Sequence, residues 1–294
     1  MWQKKYSTKA DSKFLSESHE YILVYAKSIN NLMLKGLERT EKQLDLYKNP
    51  DNDPRGSWAS DNLLRTEERE YAIFEIVSPI GNKYLPPKGS SWRFNKDKIQ
   101  ELLSDNRIWF GEDGNSRPRY KRFLSEVRQD VIVNTLWKFD EVGHSDSAKK
   151  ETAKILNESP NVFSTPKPVR LIQRMIKISC NEDDLILDFF AGSGTVGQAV
   201  LELNTKDNGN RSFILVQMPE PIEENSEAWK AGYRDIAEIG RARVRKVIEQ
   251  IQAQATEKAQ SPELFKDSEN LTEQILASNP TGYNTATSRF GATT

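Results

Sequence analysis

Apolar residues in this chain fall into short blocks separated by long polar stretches, and the spacing inside each block predicts its secondary structure. Leu185-Ile186-Leu187 is an uninterrupted apolar run of the length of a buried parallel strand. It closes on Asp188. After Phe189-Phe190 the chain turns through Gly192-Ser193-Gly194 into a segment carrying Val196, Val200 and Leu203 at helical spacing. Ser212-Phe213-Ile214-Leu215-Val216 predicts the next strand, which closes on Gln217. Strand, glycine turn, helix and strand together form a ligand-binding half-unit, because glycines admit positive φ and close approach, and the following helix start offers free N–H groups.

Other blocks are weaker. Tyr21-Ile22-Leu23-Val24-Tyr25 is an apolar, β-branched run that predicts an interior strand, and Tyr71-Ala72-Ile73-Phe74-Glu75-Ile76 alternates like a half-buried one. A short helix is expected around Thr40 to Tyr47, followed by a surface loop dense in turn formers, Asn49-Pro50-Asp51-Asn52-Asp53-Pro54. Ser147 to Leu156 reads as a helix ended by Pro160, and Leu171, Ile172, Met175, Ile176 and Ile178 follow Pro168 at mixed helical spacing. Between 226 and 252, Trp229, Tyr233, Ile236, Gly240, Val244, Val247 and Ile251 define one face of a long amphipathic helix. Arg234, Arg241, Arg243, Arg245 and Lys246 read by default as its solvated face. Beyond about residue 254 the chain is polar without periodicity, which predicts a partly disordered tail.

Composition adds limits. A chain of 294 residues suffices for one large or two modest domains, and a net charge of -1 means that any nucleic-acid contact must come from a local patch. One is present: from Pro86 to Arg128 ten basic residues stand against six acidic ones. Arg93, Arg117, Arg119, Lys121 and Arg122 are the candidate phosphate contacts, and Tyr120 and Phe123 interleave with them. A solvated surface anchored by two aromatics is an equal reading from this segment alone. The single Cys180 excludes an internal disulfide framework and reads as a small buried residue; two histidines, His19 and His144, leave no metal-ligand cluster, so no metal is expected. No apolar run approaches the roughly 20 residues of a membrane helix, and the polar start lacks a signal core, so no membrane partner and a cytoplasmic location are expected.

The glycine turn supports two chemistries. Gly192-Ser193-Gly194-Thr195-Val196-Gly197 is formally a G-x-G-x-x-G, the fingerprint of a dinucleotide site in an NAD-dependent oxidoreductase. That reading expects an acid closing the second strand, where Gln217 stands, with Glu220 three residues later. The longer string D-F-F-A-G-S-G-T from Asp188 to Thr195 is more specific. It resembles the cofactor motif of S-adenosylmethionine-dependent DNA methyltransferases that modify exocyclic amines.

Flanking segments extend the resemblance over roughly residues 1 to 252. The early stretch W-Q-K-K and F-L-S-E-S-H-E-Y-I-L-V-Y-A-K-S resembles the later catalytic strands of Type III restriction-modification modification subunits. The segments G-S-S-W-R-F, I-W-F-G-E-D-G, P-R-Y-K-R-F-L and W-K-F-D-E-V-G resemble their target-recognition region, and P-K-P-x-x-L-I resembles a segment beside the cofactor pocket. The resemblance implies an α/β, Rossmann-like methyltransferase sheet, incomplete at the N-terminus, with an inserted DNA target-recognition region. It implies four parts: 1–64 as the remainder of the catalytic half, 65–144 for target recognition, 145–252 for cofactor binding and 253–294 as tail. It assigns Asp188, Phe190, Gly192, Ser193, Gly194 and Thr195 to S-adenosylmethionine, with Lys167 and Pro168 beside the turn and Gln217 or Glu220 for the ribose.

The implied activity is methyl transfer to the exocyclic amine of adenine in double-stranded DNA. A homodimer and a restriction subunit are the implied partners. The family's Asp-Pro-Pro-Tyr motif, whose tyrosine stacks on the flipped base, is matched neither by Asp53-Pro54-Arg55 nor by Leu85-Pro86-Pro87-Lys88, so no catalytic residue is assigned. The chain is accordingly expected to be inactive alone, as a fragment or one half of a split enzyme whose N-terminal catalytic half is missing. A DNA-binding remnant without catalysis is the other alternative. Trp58, in a D-x-D-P-R-G-x-W stretch, suits either base stacking or anchoring of its own loop.

Overall fold

The structure is a computed structural model that describes residues 1–8 and 12–259. It divides into two compact units: residues 26–134, and residues 1–25 together with the chain from 135 onward. Residues 26–64, grouped by sequence with the catalytic half, thus pack with the middle of the chain. Of the expected tail, residues 253–259 are helical, and residues 260–294 lie outside the described residues.

In the middle unit, Thr40 caps a single helical turn, α1 (Glu41–Leu44), through a capping box with Gln43. Strand β1 (Trp58–Asn62) precedes helix α2 (Lys96–Ser104), whose start is capped by the Asn95 side chain accepting from Lys98 N–H. Strands β2 (Ile108–Trp109) and β3 (Arg119–Phe123) complete an antiparallel sheet in the order β1-β3-β2. In it Lys121 lies opposite Ser60 and Phe123 opposite Trp58. The core gathers Leu63, Ala72, Ile76, Trp92, Ile99, Leu102, Ile108 and Phe110. The strand expected at Tyr71–Ile76 is corrected here. A 3-10 turn spans Glu70–Ala72, and only Ile76–Val77 is strand, although Ala72 and Ile76 are buried as the alternation required.

The other unit starts with Trp2–Gln3 paired antiparallel to His19–Glu20, and Trp2 is buried with its indole N–H donating to the Gly143 carbonyl at 2.9 Å. The interior strand expected at Tyr21–Tyr25 does not form. Pairing stops at Glu20, and Tyr21, Leu23, Val24 and Tyr25 stand exposed. A backbone with no neighbouring strand among the described residues has no ladder to join.

Helix α3 (Ser145–Leu156) is capped by the His144 ring accepting from Ser147 N–H, and it ends on left-handed Asn157, before Pro160 is reached. Helix α4 (Val169–Ser179) follows Pro168. Strand β4 (Leu185–Asp188), helix α5 (Thr195–Asp207) and strand β5 (Ser212–Leu215) form the expected parallel unit, with Leu185 opposite Ser212 and Asp188 opposite Leu215.

The long helix expected between 226 and 252 is two helices, α6 (Glu227–Lys230) and α7 (Ile236–Ala259). They are separated at Gly232, whose φ of +96 a side chain would resist. Tyr233 of the expected stripe packs across the break against Leu156, Val162, Ala228 and Ile239.

Ile186 and Phe213 face a core of Val169, Ile176, Ala199, Val200 and Leu203 supplied by α4 and α5. Leu185 (62% exposed), Leu187 (56%), Ile214 and Val216 point the other way into solvent. The strand pair was expected to be buried. Among the described residues it is covered on one face only, whereas parallel sheets ordinarily carry helices on both.

Candidate functional site

At the carboxyl ends of β4 and β5 the chain builds a cavity of about 430 Å³. Its walls come from three places: the turn supplies Ala191, Gly192 and Gly194, β5 and its end supply Phe213, Leu215 and Gln217, and α7 supplies Ala237, Gly240, Arg241, Val244 and Arg245. This is where open α/β sheets bind ligands. The size lies within the range of small-molecule sites, and the apolar walls with a few polar groups suit a nucleoside.

The turn is held from several sides. Gly192 and Gly194 both adopt left-handed backbone, with φ of +51 and +74. Gly192 N–H donates to Gln217 Oε1 at 2.7 Å, Ala191 N–H to the Val216 carbonyl at 3.1 Å, and Gly194 N–H to the Ala191 carbonyl at 2.8 Å. Asp188 Oδ1 accepts from Phe190 N–H at 3.1 Å, which fixes the strand exit. A Cβ on Gly194 would meet the Gly240 carbonyl oxygen at 2.9 Å, and a Cβ on Gly240 would meet the Gly192 carbonyl oxygen at 3.0 Å. Turn and helix therefore pack backbone against backbone.

Behind the turn lies Arg243, with 0% exposure. Its Nη1 donates to Ser193 Oγ at 3.0 Å and to Thr195 Oγ1 at 2.9 Å, and its Nε to Gln198 Oε1 at 2.7 Å. Gln198 in turn donates to Glu202, which also accepts from Gln173. Burial lowers the Arg243 pKa to about 10, so the guanidinium remains a cation at neutral pH. The reading of Arg243 as part of a solvated face is thus corrected: two residues along the helix from the exposed Arg241 and Arg245, about 200° around its axis, the side chain is set against the core.

The residues expected at the cofactor separate into groups. Gly192, Gly194 and Gln217 line the cavity, whereas Ser193 and Thr195 are buried with Arg243. Asp188 is half-buried, and Phe190 is 81% exposed with its ring tilted against Phe189. Glu220 is exposed. Lys167 pairs with Glu20 at 2.9 Å and lies over the Trp2 ring, and Pro168 is buried beside Gly143 at the start of α4. None of these last five lines the cavity. Sequence reasoning missed Ala237, Gly240, Val244 and Arg243 as site residues. The signal available was the glycine in the apolar stripe, since a helical glycine marks a close backbone approach.

In the middle unit, Arg93 and Arg122 are exposed and share Asp61 at 3.0 and 3.4 Å, and Arg119 donates to Ser60. Arg117 is exposed on the loop before β3. Lys121 differs. Its side chain is fully buried, with the ammonium bonded to Asp51 and, at 3.3 Å, to Asp53, and set over the rings of Trp58 and Trp109. Alternation along β3 places Lys121 on the core face with Phe123, so its charge is spent inside the protein and its expected place among the DNA contacts is corrected.

The Arg55 guanidinium, bonded to Asp53 at 2.8 and 2.9 Å, holds that carboxyl well below the usual carboxylate range. Asp53 is thereby committed to structure. Trp58, buried with its indole N–H donating to Asp51 at 2.9 Å, anchors its loop.

A model of the DNA methylase family matches residues 1–228. Among curated relatives, the chain is similar to the Type III restriction-modification enzyme StyLTI Mod subunit of Salmonella typhimurium, 34% identical over 86% of this chain and 38% of the relative. It is similar to the EcoP15I Mod subunit of Escherichia coli at 28% identity, over 82% of this chain and 42% of the relative. It is also similar to the Type II methyltransferase M.KpnI of Klebsiella pneumoniae at 30% identity, over 79% of this chain and 58% of the relative. The chain spans about two fifths of the length of the Type III relatives it matches. The family match takes in the glycine turn, both strands beside the cavity and the whole middle unit, and the chain belongs to the N6/N4 DNA methylase family.

Proposed function

We propose that this chain is the target-recognition and cofactor-binding portion of a Type III modification subunit, an enzyme that methylates the exocyclic amine of adenine in double-stranded DNA. The cavity framed by Gly192, Gly194 and Gln217 carries this reading. S-Adenosylmethionine, bound there, supplies an electrophilic methyl group. The chain's own part is to bind and orient: Phe213, Leu215, Ala237 and Val244 give apolar walls for the adenosine, Gln217 offers an amide to a ribose hydroxyl, and the turn approaches with bare backbone. Holding donor and amine in line is the main source of acceleration in such a transfer.

Chemistry on the flipped base requires the Asp-Pro-Pro-Tyr segment, and the nearest match here, Asp53-Pro54, is committed to Arg55 and Lys121. The reading therefore includes a separate catalytic half, and the uncovered apolar face of β4 and β5 supports it. Arg93, Arg117, Arg119 and Arg122 form the candidate DNA-facing group, with a restriction subunit and a second copy as further partners. Two titrations separate this from other functions: calorimetry with S-adenosylmethionine is expected to show saturable binding, and with nicotinamide dinucleotide none. Binding of the dinucleotide in preference to the methyl donor would overturn the proposal, as would methyl transfer to DNA by the isolated chain for its missing-half component.

A further inference from the structure

Among the described residues, three side chains converge on Arg243 and none is a carboxylate: Ser193 and Thr195 flank Gly194, and Gln198 lies one turn into α5. A fully buried cation without a directly bonded acid is costly, and apolar residues of similar volume commonly serve a core as well or better. Packing alone therefore gives weak reason for a guanidinium at this position. Its geometry gives a stronger one. A single nitrogen, Nη1, bridges the two hydroxyls on either side of left-handed Gly194, while Nε ties the same group to the helix body. Lysine offers one point of attachment, where the fork has rigidly spaced donors. The Gln198–Glu202–Gln173 chain leads the positive charge to an acid two bonds away, so the cation is compensated without placing a carboxylate against the turn.

We infer that Arg243 is a positioning residue for the cofactor: from the helix after the second strand it clamps the Ser193–Thr195 turn in the conformation that receives S-adenosylmethionine. This rests on the cofactor reading above. Arg243 lies on the helix wall whose neighbours Gly240 and Val244 line the cavity, so the clamp couples that wall to the turn. A left-handed turn left to itself samples other conformations, and a ligand then binds only the competent fraction. Removing the clamp lowers affinity through that fraction, without removing any atom that touches the ligand.

The test uses the full 294-residue chain with Arg243→Lys, Arg243→Met and the double variant Ser193→Ala/Thr195→Val. Hydrogen exchange of the ligand-free proteins follows the turn amides against those of β4 and β5, and calorimetry measures binding of S-adenosylmethionine. Faster exchange confined to the turn, with affinity weakened about tenfold in Arg243→Lys and further in Arg243→Met, is expected. A folded Arg243→Met protein with native turn exchange and native affinity overturns the inference. If both Arg243 variants fail to fold, the double variant decides, because it removes both hydroxyl acceptors and leaves the Arg243–Gln198 bond: faster turn exchange supports the clamp and native exchange overturns it. Failure of the unaltered chain to bind S-adenosylmethionine would defeat the cofactor reading, and the exchange comparison, which needs no ligand, would still decide the clamp.

Discussion

The backbones of Gly194 and Gly240 touch: a Cβ on the first would stand 2.9 Å from the carbonyl oxygen of the second. Both obstructing groups are main chain, so neither can swing aside. Gly194→Ala adds a left-handed penalty at φ +74 to the clash, and a loss of about 2 to 4 kcal/mol is expected from strain and overpacking together. Gly240→Ala meets the Gly192 carbonyl at 3.0 Å without the φ penalty and should cost about 1 to 3 kcal/mol. Urea unfolding midpoints check both. An unchanged midpoint for Gly194→Ala would show that turn and helix are not in contact.

Gln217 does the work of a turn support as well as lining the cavity. Gln217→Leu leaves Gly192 N–H without its acceptor, at a cost of about 1 to 3 kcal/mol, and should weaken S-adenosylmethionine binding. Gln217→Glu keeps an oxygen for Gly192 and presents a carboxylate toward a ribose diol, so affinity should be retained or increased. Calorimetry of the two variants side by side gives the answer, and equal behaviour would remove the turn-supporting role.

Arg117 and Lys121 should separate when DNA binding is measured against salt. Arg117→Ala should leave stability within about 0.5 kcal/mol and lower the slope of log affinity against log salt by about 1. Lys121→Met leaves the carboxylate of Asp51 without its cation, while Asp53 keeps Arg55, and should cost about 3 kcal/mol. A stable Lys121→Met protein with a reduced salt slope would restore Lys121 to the DNA face.

Acid should destabilise the middle unit in part through Asp53. Its folded pKa lies below the unfolded value of about 3.9, so its stabilisation is complete above the unfolded pKa and is lost as pH falls toward the folded one. The thermal midpoint should therefore fall as pH drops from about 5 toward 3, and Asp53→Asn should be less stable at neutral pH with a shallower acid slope. Parallel acid profiles for the two proteins would contradict this.

Several elements were legible because they are local. Leu185-Ile186-Leu187, the glycine pair and the run Phe213 to Val216 state a strand, a turn and a strand in adjacent residues, and the structure forms them in that order with parallel pairing. Thr40 and Gln43 cap a helix from three residues apart. Tyr21–Tyr25 failed because strand propensity requires a partner that its own residues cannot supply, and pairing stops at Glu20. The 226–252 stripe ran unbroken through Gly232 because periodicity reports which side is buried, not whether the backbone stays helical.

The sequence by itself determined the family motif from Asp188 to Thr195, the α/β order around it and the absence of an Asp-Pro-Pro-Tyr segment, since each is a matter of neighbouring residues. Tertiary structure alone decided which charges are free. Lys121 and Arg122 are adjacent in a basic run, yet one is enclosed by Asp51, Asp53, Trp58 and Trp109 and the other is exposed. Arg243 and Arg245 differ in the same way on one helix. Composition counts a charge wherever it occurs, but whether it meets solvent or a buried partner depends on which distant segments fold against that face, and only packing brings Arg243 to Ser193 and Thr195 across some fifty residues of chain.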